Sequence, residues 1–225
     1  MPDIDESERD KMTNVAFLDK PNTVNWPPRR RDFVNHAGGS SAHITLRTDE
    51  PGIRGLFRYR PEAAQPLTLL SEVLLCGDGT LTRGERELIA AHVSSLNRCR
   101  FCYHTHAAFA AVRVPGGMDL VDQIRADPDN APVPGKLRAL LAIAAAVQRS
   151  GQDVTPEHVD TARREGATDE EIHDTVLIAA AFCMYNRYVD GLATLACDDP
   201  EHYAERARLT GGYVATWTDE LEEAC

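Results

Sequence analysis

Apolar side chains recur every three or four residues over most of the chain, which is the spacing of one face of an α-helix. The first clear face consists of Leu67, Leu70, Val73 and Leu74. We predict that its helix begins near Pro61 and ends at the Gly-Asp-Gly sequence of residues 77–79. Alternation with period two is confined to residues 42–46, the one candidate strand. The body is therefore predicted to be all-α.

Capping sequences mark the helices in the middle of the chain. Thr82, followed three residues later by Glu85, forms a capping box that begins a helix running to about residue 96. Asn97-Arg98 interrupts the apolar pattern, and a further helix is predicted over residues 99–112. The chain is expected to turn sharply between these two helices.

Three later helices are marked as clearly. Residues 134–149 are rich in Ala and Leu, which have high helix propensity. Thr155 precedes a proline at the first helical position of the next helix. Thr168 and Glu171 form a second capping box, which begins a helix that we expect to run to about residue 195.

Composition divides the chain into three segments. Residues 1–50 hold four prolines and a Gly-Gly-Ser-Ser sequence without sustained periodicity, so we expect an irregular N-terminal arm. Residues 51–200 carry the helical pattern and form the predicted domain. Residues 201–225 are expected to form a C-terminal acidic tail.

Charge and hydropathy exclude several classes of protein. The 225 residues carry 24 Lys and Arg against 35 Asp and Glu, a net charge of −11. Such a surface repels phosphate backbones, so no nucleic-acid or anionic-membrane partner is expected. The longest apolar stretches span about ten residues, whereas a bilayer span needs roughly 20. The acidic first residues do not resemble a secretory signal, and we expect a cytoplasmic protein.

Six cysteines in a cytoplasmic chain should mostly be reduced, and two of them are close in sequence. Cys99 and Cys102 form a CxxC at the predicted start of a helix. Unpaired N–H groups and the helix dipole favour a thiolate at such a position. The spacing also allows the two sulfurs to form a disulfide, so a reactive dithiol is chemically plausible.

Two further residues could support thiol chemistry. His106 lies four residues after Cys102 and shares its helix face, where it could take up the thiol proton. Glu87 lies on the preceding helix and could reach this imidazole if the chain folds back at Asn97-Arg98. Carboxylate, imidazole and thiol would then form a proton relay.

Simpler interpretations of these residues stay open. A lone CxxC can arise by chance or form half of a zinc site. The zinc ligands would be Cys99, Cys102, His106 and either His92 or His104. The last two histidines can equally be surface residues of their helices, and Glu87 an exposed carboxylate. Asn186, Arg187 and Asp190 either line the site or make hydrogen bonds between helices.

The set Glu87, Cys99, Cys102 and His106, with its spacing, resembles the alkyl hydroperoxidase D (AhpD) and carboxymuconolactone decarboxylase-like superfamily. The resemblance is to the peroxidase-related branch that carries the CxxC pair. It extends to the sequences ERELIA at 85–90, VSSLN at 93–97 and NRYVDGL at 186–192. It covers roughly residues 51–197.

The resemblance implies an all-α, AhpD-like helical bundle that assembles as a homo-oligomer, a trimer or hexamer. It implies that Cys102 attacks a hydroperoxide, that Cys99 resolves the sulfenic acid, and that His106 and Glu87 relay protons. It implies a dithiol reductant of the lipoamide or thioredoxin type, and the thiol chemistry itself requires no metal, flavin or haem. One position departs from the pattern: hydroperoxidase D members have a histidine before the second cysteine, where this chain has Phe101.

Three functions follow from these observations. The first is a thiol-dependent hydroperoxide reductase that cycles the CxxC pair. The second is a lyase on a small organic acid, as in the decarboxylase branch, although those decarboxylases lack the CxxC pair. The third is a redox-sensing module without turnover, whose disulfide changes its assembly.

Overall fold

The structure is a computed structural model that describes residues 42–46 and 48–213. Within these residues the chain forms nine α-helices, one short 3₁₀ helix at Gly151–Asp153 and no strand. The helices, numbered in chain order, are α1 Ile53–Tyr59, α2 Pro61–Cys76, α3 Arg83–Leu96, α4 Arg100–Ala111, α5 Gly117–Ala126, α6 Gly135–Arg149, α7 Pro156–Arg164, α8 Asp169–Gly191 and α9 Pro200–Leu209. The all-α prediction is confirmed.

The capping sequences begin helices where they were expected to do so. Thr82 and Glu85 form a capping box at the start of α3, and Thr168 and Glu171 form one at the start of α8. Thr155 caps α7, with proline as its first residue. Helix α8 ends at Gly191, earlier than expected, because the chain turns at Ala193, where φ is 49°. Helices α1 and α9 were not predicted.

Residues 42–46 do not form the expected strand, because no second strand in the described part of the chain is present to pair with them. They lie instead as an irregular segment along the helical body. The His43 N–H donates to the Leu192 carbonyl at 2.9 Å, and Leu46 is buried. The rest of the predicted N-terminal arm, residues 1–41 and 47, lies outside the described residues.

The predicted apolar face of α2 is wrong at one position. Leu74 is buried and Leu67 and Leu70 are half-buried, but Val73 is 60% exposed. The buried face of α2 instead follows Ala64, Thr68, Leu74 and Leu75. The face of α2 that is buried is thus not the face on which its apolar residues are concentrated. Leu69 and Val73 face outward.

Two adjoining cores hold the helices together. The larger core lies among α2 to α8, and its most deeply buried side chains include Leu75, Leu88, Ile89, Val93, Leu140, Leu141, Ile143, Ile178 and Phe182. The smaller core surrounds the start of α4, where Cys99, Phe101, Cys102 and Phe109 pack with Leu56 of α1 and Tyr203 and Ala207 of α9. The predicted dithiol therefore lies inside a core.

Helix α9 falls in the segment that composition set apart as an acidic tail. Its Tyr203 and Ala207 are buried against α4, so residues 201–209 pack onto the helical body. The acidic residues near the end of the sequence, 214–225, lie outside the described residues. Across the described part of the chain, every helix is too short or too polar to span a bilayer.

Candidate functional site

The turn between α3 and α4 brings the predicted relay residues together. Arg98 takes the left-handed conformation, with φ 60°, and reverses the chain after α3. Helices α3 and α4 then pack closely along their length. As a result, Glu87 Oε2 lies 2.7 Å from His106 Nδ1, although 19 residues separate them.

Glu87 is fully buried, and both of its carboxylate oxygens have hydrogen-bond donors. His106 Nδ1 lies at Oε2, and the Tyr213 hydroxyl donates to Oε1 at 2.8 Å. The same hydroxyl oxygen lies 3.3 Å from His106 Nδ1. A buried carboxylate requires such partners, because an unpaired one is strongly destabilising. With Nδ1 bound to Glu87, Nε2 is the ring nitrogen left to exchange a proton with another group.

The two cysteines lie at the first turn of α4. Cys99 is the N-cap residue and is 0% exposed, and Cys102 is 4% exposed. Both are free thiols. A hydrogen bond to the Cys102 sulfur, together with burial, raises the pKa of the Cys99 thiol well above its usual value. The Cys99 thiol therefore keeps its proton.

Asp190, near the end of α8, contacts the site from the Cys99 side. Its carboxylate accepts a hydrogen bond from the Cys99 thiol, which contributes to raising the pKa of that thiol. Partial burial raises the pKa of Asp190, and this hydrogen bond opposes the shift. Asp190 does not line the cavity, and its contact joins α8 to the start of α4 beside the buried cysteine.

The neighbouring polar residues of α8 do not reach the cysteines. Asn186 donates to Ser94 at 3.1 Å and accepts from Asn97 at 2.8 Å, so it makes hydrogen bonds between helices. Arg187 donates to the Cys183 carbonyl within its own helix. The expectation of hydrogen bonds between helices therefore holds for Asn186, whereas Arg187 makes neither of the two contacts considered for it.

A cavity of about 90 Å³ opens onto Cys102 and His106. Its walls are mostly apolar and aromatic, with Ile53, Phe57, Phe101, Phe109, Phe182, Tyr185 and Tyr213 among the lining residues. Polar groups at the wall include Arg54, Thr68, Ser71, Thr105, Arg206 and Thr210. One water needs roughly 10–15 Å³, so the cavity is large enough for a small organic molecule.

Phe101 occupies the position where the resembled hydroperoxidases carry a histidine, and it is a packing residue here. Its ring contacts Tyr203 edge-on at 6.2 Å and is 7% exposed. It also lies against Gly52, where a Cβ would come within 2.2 Å of the ring. Gly52, with φ 61°, is therefore required at that point, and the wall beside Cys102 is apolar.

Sequence analysis missed Tyr213 and the other cavity residues contributed by the C-terminal segment. That segment was set apart as a tail, although one sequence feature marks its helix. Asp199 is an N-cap residue followed by Pro200 at the first helical position, the same arrangement that marked α7. It indicates a helix, but nothing in the sequence indicates that Tyr213 returns to Glu87.

The histidines of the alternative zinc set lie apart from the cysteine pair. His92 lines a separate small cavity with Tyr103 and Arg125. His104 is half-buried, and its ring lies 5.5 Å from that of Tyr203. Within residues 42–46 and 48–213, no three His, Cys, Asp or Glu side chains are grouped as metal ligands would be.

Solved structures with the same fold include two peroxidase-related proteins. One, from Ralstonia eutropha and described as an uncharacterized protein with an alkylhydroperoxidase AhpD core, is 26% identical with a TM-score of 0.63. The match covers 71% of this chain and 82% of that one. The other, an uncharacterized protein from Silicibacter sp., is 24% identical, with coverages of 72% and 80% and a TM-score of 0.62.

A third structure, of a protein of unknown function from Agrobacterium tumefaciens, is 20% identical with a TM-score of 0.57. The match covers 67% of this chain and 100% of that one. No curated protein matches the chain. The model of the Carboxymuconolactone decarboxylase family matches residues 61–113 and 118–196, which include Glu87, both cysteines of the pair and His106. The chain thus belongs to the carboxymuconolactone decarboxylase family, with the AhpD-like fold of its peroxidase-related neighbours.

Proposed function

We propose that this protein is a thiol-dependent hydroperoxide reductase in which Cys102 is the attacking cysteine and Cys99 the resolving one. The observation that carries the proposal is the buried contact between Glu87 and His106, one helical turn from Cys102 and on the same cavity. A buried carboxylate that accepts from Nδ1 holds the imidazole in one orientation and prepares Nε2 to act as a base.

The different surroundings of the two cysteines support this assignment of roles. Only Cys102 of the pair lines the cavity, whereas Cys99 is fully buried. A substrate in the cavity would therefore meet the sulfur that His106 can deprotonate. Cys99 lies behind it, against Asp190, where a resolving thiol needs to be.

The reaction takes place in two steps. His106 removes the Cys102 proton, and the thiolate attacks the distal oxygen of the hydroperoxide: an S–O bond forms, the O–O bond breaks, and the alcohol leaves with a proton returned by His106. The Cys99 sulfur then attacks the Cys102 sulfenic acid; an S–S bond forms and water leaves. The dithiol has lost two electrons to the hydroperoxide, and an external dithiol restores it by disulfide exchange.

Both the reductant and the assembly belong to this proposal. A dithiol of the lipoamide or thioredoxin type would regenerate the pair. We propose a trimer or hexamer, and association of chains is supported by apolar side chains that stay exposed on α2 and α8, helices joined by the Ser71–Tyr185 hydrogen bond. These side chains are Leu69, Val73, Leu177 and Met184. Sedimentation should give a particle larger than one chain, and Val73→Glu should shift it towards the monomer.

A lyase reaction on a small organic acid is the second candidate, and the family match favours it. His106 and Glu87 form an acid–base pair beside an apolar cavity, which such a reaction could use without sulfur. The two candidates differ in their need for the thiols. A variant with both Cys99→Ser and Cys102→Ser should lose peroxide reduction and keep lyase activity, because serine keeps the shape of the cavity wall.

The test is peroxide consumption by the purified protein with a dithiol reductant. Cys102→Ser should abolish turnover, and Cys99→Ser should leave a sulfenic acid that a dimedone probe traps. Cys183→Ser is the matched control, since that half-buried cysteine lies on α8 outside the cavity, and it should keep wild-type turnover. Full activity in both Cys99→Ser and Cys102→Ser would overturn the proposal.

A further inference from the structure

Tyr213, at the end of the described chain, reaches the Glu87–His106 pair from outside the region that the family model matches. The matched region ends at residue 196, and Tyr213 follows α9. Its hydroxyl donates to Glu87 Oε1 at 2.8 Å, on the opposite oxygen from His106. The relay pair thus carries a third member that membership of the family does not supply.

Charged side chains from α2, from α3 and from the turn after α4 bind the backbone around Tyr213. The Tyr213 N–H donates to Glu72 Oε2 of α2 at 2.5 Å. Arg83 of α3 donates to the Gly211 carbonyl at 2.5 Å, and Arg113, just after α4, donates to the Thr210 carbonyl at 3.3 Å. Hydrogen bonds with one charged partner are stronger than neutral ones, so residues 210–213 are attached firmly to the body.

Close packing fixes the position of the tyrosine ring as well. The ring stacks on Phe109 at 5.8 Å with an interplanar angle of 17°, and its centroid lies 6.1 Å from that of His106. At the preceding residue, Gly212, a Cβ would lie 2.7 Å from Glu72 Oε1, so a glycine permits this approach of the chain. Backbone and ring together place the hydroxyl at Glu87.

We infer that Tyr213 is a positioning residue of the relay: its hydroxyl holds the Glu87 carboxylate so that Oε2 faces His106 Nδ1. The inference rests on the proposed function for its catalytic meaning, but the contact itself is independent of the reaction. Burial, with Glu87 nearby, raises the pKa of Tyr213 well above its usual value, so the hydroxyl keeps its proton and acts as a donor. By donating to Oε1, the hydroxyl also weakens the electrostatic effect of the Glu87 carboxylate on the His106 imidazole.

Loss of the Tyr213 hydroxyl should make His106 hold its proton more strongly. Without the hydroxyl, Oε1 is left unpaired in a buried place, and the charge of Glu87 acts more strongly on His106. The imidazolium is then stabilised, and His106 loses its proton at a higher pH. The rate of reaction at Cys102 should therefore begin to rise at a higher pH in the variant, because His106 must be neutral to accept the thiol proton.

The experiment compares Tyr213→Phe with wild type by two measurements. Titration of the His106 ring by NMR should shift upward by about one pH unit. The kcat/KM for cumene hydroperoxide at pH 7 should fall by about tenfold. Phenylalanine keeps the stacking on Phe109 and the cavity wall, so a purely structural role would move neither value.

Tyr203→Phe is the matched control. That tyrosine lies on the adjoining α9 and donates to the Cys197 carbonyl, away from the relay, so both values should stay at the wild-type level. An unchanged His106 titration in Tyr213→Phe overturns the inference, whatever the activity. A shifted titration in a protein whose wild type reduces no hydroperoxide supports the positioning role and overturns the proposed function instead.

Discussion

Two buried histidines lie in the same helical hairpin and have opposite surroundings. His106 on α4 is 7% exposed, bonds to Glu87 and lines the cavity of about 90 Å³. His92 on α3 is 6% exposed and lines a cavity of about 10 Å³, and among the described residues its Nε2 has no hydrogen-bond partner. Burial lowers the pKa of His92 to about 4, from the usual 6.5.

The difference shows that burial alone does not make a histidine useful for chemistry. Desolvation penalises the imidazolium, so an unpaired buried histidine stays neutral and cannot hold a proton in transit. A buried carboxylate on the other ring nitrogen compensates for that penalty and fixes the tautomer. Glu87 supplies this carboxylate, and Tyr213 holds it in place.

The largest effect is expected from removing the base itself. His106→Gln should lower kcat/KM for hydroperoxide by about 10²- to 10⁴-fold, the usual contribution of a general base. His92→Gln is its matched control, because it removes an equally buried imidazole from the same hairpin. Steady-state peroxide consumption measures both, and comparable losses in the two variants would remove the distinction between the histidines.

The next largest effect is expected at the carboxylate. Glu87→Gln keeps the shape but removes the negative charge that faces His106, and its NH₂ group replaces one of the two acceptor oxygens in a buried place. We expect kcat/KM to fall by about 10²-fold and the free energy of unfolding to fall by about 1–3 kcal/mol. Denaturant melts and peroxide assays test these values, and Glu85→Gln, at the exposed cap of α3, serves as control.

A third prediction concerns stability and pH at His92. Between pH 6.5 and about 4 the unfolded chain binds a proton at this residue and the folded chain does not, so the free energy of unfolding falls as the pH falls. The full loss is about 3 kcal/mol, at about 1.4 kcal/mol per unit of pKa. Asp129 opposes this shift, and Tyr103 and Arg125 line the same cavity.

His92→Leu should remove the contribution of this histidine to the pH dependence of the free energy of unfolding. The contributions of the other titratable groups should stay unchanged. Urea melts of both proteins at intervals between pH 4 and pH 7.5 measure the difference. Parallel curves for the two proteins across this range would show that His92 titrates normally in the folded state.

The smallest effect is expected from loosening the segment that carries Tyr213. Arg83→Gln weakens the bond to the Gly211 carbonyl at a site away from the cavity wall. We expect a fall in kcat/KM of about threefold, in keeping with one hydrogen bond worth about 1 kcal/mol. The loss should vanish in a Tyr213→Phe background, and an equal loss in both backgrounds would show that Arg83 acts by another route.

Much of the fold was predictable because its determinants are local. The capping boxes at Thr82 and Thr168 act within four residues, and the break at Asn97-Arg98 lies in the sequence itself. The Glu87–His106 contact was predictable for the same reason, because it needs only one turn between two helices that are adjacent in sequence.

Other features depend on contacts that sequence spacing does not encode. Val73 continues an apolar pattern but faces outward, because the packing of α2 is set by Ala64 and Leu75. Tyr213 meets Glu87 across 126 positions, through a segment whose composition is that of a surface tail. Such long-range placements arise from how helices pack, and no local pattern specifies them.

The burial of both sulfurs has a kinetic consequence. With Cys99 0% and Cys102 4% exposed, a reagent reaches the dithiol only by inserting into the cavity beside it. Two reductants of equal redox potential are therefore not equivalent to this protein. A slender dithiol on a flexible arm can enter, whereas a folded protein must wait for the helices around the cavity to part. If the proposed function holds, we expect the width of the reductant, more than its driving force, to set the rate at which the disulfide is reduced.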